Sequence, residues 1–218
     1  IVSTVDNGDG TFTINFSEKY IFFPLNAQPE RSTNPLGGPY FSNLVYILDI
    51  LLSVLPSGWK IYLKEHPRQF TRAILNFSLA RDPEFYRKIS SDPRVIFVDY
   101  KYKSEELISH SQCVSVVSGT PGWEAICNGK PVALFGYPWY RECPGIFQVT
   151  SIKKLKQYLI DIDKGEVLVD IDKVSRYSSW IKNISGHKGS LNSNILSSLE
   201  YDENTKCISD AFIDVINN

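Results

Sequence analysis

The stretch VSVVSGTPGWEAICNGKPVALFGYPWYRECPGIF, Val114 to Phe147, decides the fold. Val114–Val117 reads as an apolar strand and Ser118-Gly119-Thr120 as a small-residue turn. A helix is expected to open near Pro121 and close at Gly129. Proline suits the first helical turn and glycine the position just past the end. A second apolar strand is expected at Pro131–Phe135, then a loop carrying Tyr137, Trp139, Tyr140 and Arg141. The unpaired N–H groups at a helix start point outward and attract anions. Gly119 admits a ligand close to the backbone, and the hydroxyls of Ser118 and Thr120 serve as caps or ligand contacts. Glu124 lies one turn into the helix, beside the same mouth. Phosphate on the helix end and ribose hydroxyls on the carboxylate suit a nucleotide. An ordinary βαβ unit with a capped helix has the same signature.

Outward from this stretch the same alternation continues. Lys19–Pro24, Trp59–Leu63 and Val95–Val98 are expected strands, each apolar through its length. Phe41–Leu55 carries Leu44, Ile47, Leu48, Leu51, Leu52 and Leu55 at helical spacing and stops before Pro56-Ser57-Gly58. A weakly patterned helical region covers Phe70–Ser90, and Ser104–Ser109 is a short helix with Ser104 as its N-cap. Ile152–Ile162 is amphipathic; Val174–Ile184, Asn194–Leu199 and Asn204–Ile216 complete the chain as helical segments. Residues 1–18 form a separate arm or hairpin, with Asn7-Gly8 and Asp9-Gly10 as turn signals. Strands separated by helices predict an α/β class: an open, mostly parallel sheet with helices on both faces. Uniformly apolar strands agree, because such strands are covered on both sides. Residues 19–150 make up the sheet domain, and 151–218 a helical region packed on it.

Composition bounds the function. The 218 residues suffice for one large domain or two small ones, at roughly 100–200 residues per domain. A net charge of −1 provides no field for nucleic acid, and no basic stripe interleaves with aromatics. The apolar run Leu44–Leu55 is interrupted and too short for a membrane span. Cys113, Cys127, Cys143 and Cys207 are scattered with no CxxC pair, as expected of reduced thiols in a cytoplasmic protein. With no methionine and Ile1 in first place, the chain reads as a fragment, a processed form or an internal domain.

In an open parallel sheet the ligand sits beyond the carboxyl ends of the strands. The polar clusters fall there: Gln28-Pro29-Glu30-Arg31-Ser32-Thr33, then Lys64-Glu65-His66-Pro67-Arg68, the Ser-Gly-Thr turn, and the aromatic loop. His66, Lys64 and Arg68 can each donate to a phosphate, or simply end a strand and meet solvent. Glu30 is a candidate contact to sugar or phosphate, or a surface charge. Tyr137, Trp139, Tyr140 and Arg141 stack on a base or sugar, or pack in an interface. Neither G-x-G-x-x-G after a strand nor G-x-x-x-x-G-K-S/T occurs, so standard dinucleotide and phosphate-loop chemistry is excluded. His110 and His187 lack partners at metal-ligand spacing, and Ser118 lacks a nucleophile elbow.

Taken together, YIFFPLNAQPERST (Tyr20–Thr33), LPSGWKIYLKEHPR (Leu55–Arg68) and Val117–Phe147 resemble the bacterial capsule and surface polysaccharide biosynthesis proteins. That resemblance implies one half of a GT-B fold, the donor-binding Rossmann-like domain, in a family that includes Kdo transferases. It implies a glycosyltransferase acting on a nucleotide-activated sugar such as CMP-Kdo. The same scaffold serves nucleotide-sugar 2-epimerases and glycerophosphate transferases, and a non-catalytic nucleotide-sugar-binding module remains an alternative. By resemblance, His66 and Ser118-Gly119-Thr120 hold phosphate, with Lys64 and Arg68 beside them. Glu124 holds ribose, Gln28 and Tyr140 line the donor site, and Glu30 joins His66 as a catalytic candidate. The implied partners are a nucleotide-sugar donor, a saccharide or glycolipid acceptor, and an acceptor-binding domain not present in this chain. No cofactor and no metal is expected. The implied location is the cytoplasm, with peripheral association at the inner face of the membrane compatible with it.

Overall fold

A computed structural model describes residues 5–6, 12–28, 36–40, 43–71, 81, 83–185 and 201–217. The chain forms two compact units, Ile1–Val174 and Ser175–Asn218. The first contains a small hairpin and a six-stranded sheet. In the hairpin, β1 (Val5–Asp6) pairs antiparallel with β2 (Phe12–Thr13). The expected turn residues between them lie outside the described residues.

The sheet is made of β3 (Tyr20–Pro24), β4 (Lys60–Lys64), β5 (Val95–Val98), β6 (Cys113–Val116), β7 (Val132–Leu134) and β8 (Ile146–Gln148). All neighbours are parallel, in the order β5-β4-β3-β6-β7-β8. The chain therefore winds outward from β3 to β5, returns, and winds the other way from β6. This is the Rossmann order, with its reversal between β3 and β6. The expected open parallel sheet with helices on both faces is found. β8 is an addition: Ile146–Gln148 follows a loop dense in proline, glycine and charge, and is too short to show any period.

The helices of the first unit follow from their sequences. α1 (Leu44–Val54) starts on Asn43, whose side chain accepts from the Tyr46 N–H, and buries Ile47, Leu48 and Leu51. It stops before Pro56, which disfavours helical geometry at the preceding residue. Two short helices, α2 (Pro67–Thr71) and α3 (Pro83–Ile89), occupy the ends of the weakly patterned region. Most of what lies between them is outside the described residues. α4 (Ser104–His110) and α5 (Thr120–Cys127) follow β5 and β6. α6 (Ile152–Asp163) starts on a Ser151 cap and buries Leu155, Leu159 and Ile162.

A hydrophobic core cluster joins one face of the sheet, including Ile21, Phe23, Ile61, Leu63 and Cys113, to α1 and α6. On the opposite face Tyr20 stacks on Tyr62 at 4.0 Å and donates its hydroxyl to the carbonyl of Leu107 in α4. Burial and the neighbouring Tyr62 raise the Tyr20 hydroxyl well above its ordinary pKa, so it remains a donor. The Ser104 cap expectation is corrected. Lys103 precedes α4 without a side-chain cap, and the Ser104 hydroxyl instead accepts from Lys64 Nζ at 2.8 Å.

α7 (Ile171–Ser185) runs from the end of the first unit into the second, and α8 (Tyr201–Asn217) lies within the second. The expected segment Asn194–Leu199 lies outside the described residues. Among those described, no helix is long and apolar enough to cross a membrane.

Two expectations test this packing. A Cβ at Gly136 would lie 2.4 Å from both the Leu36 and Val117 carbonyl oxygens, backbone atoms that cannot swing away. Gly136→Ala should therefore destabilise the fold by about 1–3 kcal/mol in chemical denaturation. The second concerns Asp163, which receives Lys19 Nζ at 2.7 Å and Trp59 Nε1 at 3.1 Å. These bonds hold its carboxyl below the usual aspartate range. Stability from a depressed carboxyl is complete above the ordinary aspartate pKa and is lost as pH falls through the lowered value. D163N should thus be slightly less stable than the wild type at neutral pH, and the two should converge in acid. A difference independent of pH would contradict this origin.

Candidate functional site

The winding reversal lies between β3 and β6, the place at the carboxyl edge where an open parallel sheet sets its ligand crevice. Asn26, two residues past the end of β3, lies at this edge. It is 9% exposed, and its Nδ2 donates to Ser118 Oγ at 3.4 Å, across the reversal. β4 lies beside β3 on one side and β6 on the other. The strands that lead to His66 and to the Ser118–Thr120 turn, β4 and β6, are therefore two strand spacings apart, roughly 10 Å.

The β6 side is built by close packing. α5 begins after Gly119 with Pro121 in its first turn, and no side-chain hydrogen bond caps it. A Cβ at Gly122 would lie 2.5 Å from the Tyr140 hydroxyl and 2.7 Å from Val116 Cγ2, so glycine lets the helix lie directly against β6. A Cβ at Gly119 would meet Pro121 Cδ at 3.2 Å and nothing else nearby, leaving the turn open outward. Tyr140 is 1% exposed and donates its hydroxyl to the Gly119 carbonyl. It supports the turn from within the fold. Burial, with the neighbouring Glu124 carboxylate adding, raises its hydroxyl far above the ordinary value and keeps the proton in place. Thr120 and Glu124 are exposed at the mouth.

The β4 side is built by hydrogen bonds. His66 Nδ1 accepts the Arg68 N–H at 3.1 Å, so the neutral ring carries its hydrogen on Nε2, the form that donates. Lys64 is buried at 7% exposure, and its ammonium bonds Ser104. Burial lowers its pKa, and the Asp99 and Glu124 carboxylates partly offset this. Arg68 is exposed.

Behind both loops lies a buried polar cluster with no sequence signal. Arg81 Nε donates to Glu65 Oε2 at 3.0 Å, Nη1 to Gln28 Oε1 at 2.8 Å, and Nη2 to the Asn26 carbonyl at 2.8 Å. Both side chains of the Arg81–Glu65 pair are 1% exposed. Glu65 Oε1 accepts the His66 N–H at 2.9 Å, and the Tyr86 hydroxyl donates to Glu65 Oε2 at 2.9 Å. Gln69 closes the set, bonding both the N–H and the carbonyl of Gln28. Gln28 thus sits inside the β3 loop's anchorage. Glu30, with Pro29 and Arg31–Thr33, lies outside the described residues.

A cavity of about 570 Å³ opens between α4 and α5, lined by Glu105, Glu106, Ser109, Trp123 and Glu124 among others. Glu124 thus lines this cavity. Trp123 lies 4.7 Å from Trp139, which is 55% exposed, so two indoles stand at the rim. Burial pushes the thiol of Cys113 up to about 12 and that of Cys143 up to about 11, which keeps both protonated. Among the described residues, no group of three or more His, Cys, Asp or Glu is placed to hold a metal ion.

Comparison with known proteins adds the family. Over 62% of this chain and 40% of its own, KpsC of Thermosulfurimonas dismutans, a β-Kdo 2,7 transferase, is similar at 22% identity and a TM-score of 0.44. Anabaena Alr3699/HepE in complex with UDP-glucose is similar over 75% of this chain and 45% of its own, at 14% identity and a TM-score of 0.48. The UDP-GlcNAc 2-epimerase of Methanocaldococcus jannaschii shares 14% identity over 78% of this chain and 47% of its own, with a TM-score of 0.46. The chain thus spans less than half the length of these solved structures. No curated protein matches it. The model of the capsule polysaccharide biosynthesis protein family matches residues 12–158, which include every element from β2 to β8, and the chain belongs to that family.

Proposed function

We propose that this chain is the donor-binding part of a glycosyltransferase of surface or capsular polysaccharide synthesis, acting on a nucleotide-activated sugar. One observation carries the reading: the winding reversal sets an uncapped helix start, Ser118 and Thr120 on one side of Asn26 and His66 on the other. Membership of the capsule family supplies the biological setting.

Departure of a nucleotide from its sugar leaves negative charge on phosphate oxygen. The partial positive charge at the start of α5 and the His66 Nε2–H stabilise that charge as it develops. Lys64 adds a cation whose burial is only partly compensated, so an approaching anion improves its surroundings. Glu124 accepts from the ribose hydroxyls, and the base occupies the space between α4 and α5 beside Trp123. Gln28 and Tyr140 serve this site by holding its loops, and Arg68 adds positive charge at the rim. CMP-Kdo is the donor we favour on family grounds. The acceptor hydroxyl needs a base; Glu30 is this chain's carboxylate for that task unless a partner domain provides one.

Titration calorimetry with CMP, UDP and GDP tests the reading. One of them should bind, and His66→Ala should weaken it by about 10- to 100-fold, the cost of one hydrogen bond to a charged group. Absence of binding by all three at millimolar concentration would defeat the proposal. Glu124→Gln should weaken a ribonucleotide several-fold yet leave its 2′,3′-dideoxy analogue unchanged, since the analogue has no hydroxyl to lose. Equal losses for both would remove Glu124 from the ribose. Product analysis with UDP-sugars separates the alternative: an interconverted sugar formed without acceptor would make the chain an epimerase.

A further inference from the structure

The buried cluster around Arg81 is built from segments that carry the site: among the described residues, Arg81 bonds Glu65, Gln28 and the Asn26 carbonyl. We infer that Arg81 is a positioning residue: through Glu65 it sets His66, and through Asn26 it sets Ser118, holding the two sides of the crevice at a fixed separation. This rests on the reading of the crevice as an anion site.

The geometry supports a positioning role over a purely stabilising one. Glu65 divides its two oxygens between tasks. Oε1 takes the His66 N–H, and Oε2 takes Arg81 and Tyr86. Turning the carboxylate toward Arg81 therefore orients the histidine backbone. The guanidinium reaches the other loop at two points, the Asn26 carbonyl and Gln28 Oε1. Asn26 in turn donates to Ser118. A continuous path runs from His66 through Glu65, Arg81 and Asn26 to Ser118, linking the loops after β4, β3 and β6. The Phe85 ring lies 4.6 Å from the guanidinium carbon and covers it. A buried ion pair is a poor source of stability compared with apolar packing, because both charges must lose water. What it provides is direction. A planar fork meets three acceptors at set angles, which a lysine ammonium cannot reproduce.

The test uses the whole chain with Arg81→Lys, which keeps charge and loses the fork, and Tyr86→Phe, which removes one bond to Glu65 and leaves the pair. Leu159→Ala, on the buried face of α6, serves as a control for lost stability. Three readouts run together: thermal unfolding, binding of inorganic pyrophosphate and of CMP, UDP and GDP, and the ¹⁵N shifts of the His66 ring, which report its tautomer. Well below every unfolding midpoint, Arg81→Lys should weaken anion binding by about ten-fold or more and move the His66 ring toward a mixed tautomer. Tyr86→Phe should do both to a smaller degree, about two- to five-fold in binding, and Leu159→Ala neither. Wild-type binding and an unmoved His66 signal in Arg81→Lys and Tyr86→Phe would overturn the proposal. So would equal changes in Leu159→Ala. Should the wild type bind none of these anions, the nucleotide reading fails on its own, and the His66 signal alone decides the role of Arg81.

Discussion

The molecule depends on the reversal of winding between β3 and β6. With all six strands parallel, every strand ends at the same edge, and every loop leaving a carboxyl end gathers there. Between strands wound the same way, successive loops leave toward the same face and lie side by side. At the reversal the connections leave in opposite directions, and the edge stays open. The strands bordering it are wholly apolar in their interior, Ile21–Phe23 and Val114–Val116 apart from Ser115, because both faces are covered. Polar side chains can therefore concentrate at the strand ends without cost to the core.

Two different means hold the two sides of this opening. On the β6 side the means is steric: Gly122 lets α5 lie on Val116, and Tyr140 fills the remaining space and bonds the Gly119 carbonyl. On the β4 side it is electrostatic: Glu65 and Arg81, fully desolvated, bond to each other and to backbone groups of both neighbouring loops. Removing one member of such a pair leaves an unpaired buried charge, which is far more costly than the pair's net contribution. The steric side tolerates no added volume, and the electrostatic side tolerates no lost partner. Asn26, bonded to both, joins them.

The surroundings fit a ligand that is anionic at one end and aromatic at the other. The start of α5 and the loop carrying His66 leave the same edge of the sheet, while three glutamates and the Trp123 indole line the space between α4 and α5. Under the proposed function a nucleotide lays its phosphate at the helix start, its ribose at Glu124 and its base beside Trp123. Membership of the capsule polysaccharide biosynthesis family is shown by the match over residues 12–158, independently of this geometry.

Most of the sheet was legible in the chain, because a strand buried on both faces must be apolar throughout and a helix between strands must show its period and its stops. Val95–Val98 and the start of α5 at the Ser-Gly-Thr turn are read directly from such patterns. The convergence of His66 and Ser118 on one edge was legible too, since it follows from parallel topology alone. β8 was not, as three half-buried residues after a long loop carry no period. Nor was the placement of Ser104, whose hydroxyl serves Lys64 rather than its own helix. Tyr140 looked like a ligand platform because an aromatic near a turn reads the same whether it faces in or out. Arg81 is the clearest case: it lies in an unpatterned stretch, and nothing local marks an arginine that folds back on Glu65 and Asn26. Local sequence determines which segments are apolar, turning or helical, because those properties depend on neighbours along the chain. Which polar groups meet across loops far apart in sequence was decided only when the sheet brought them to one edge.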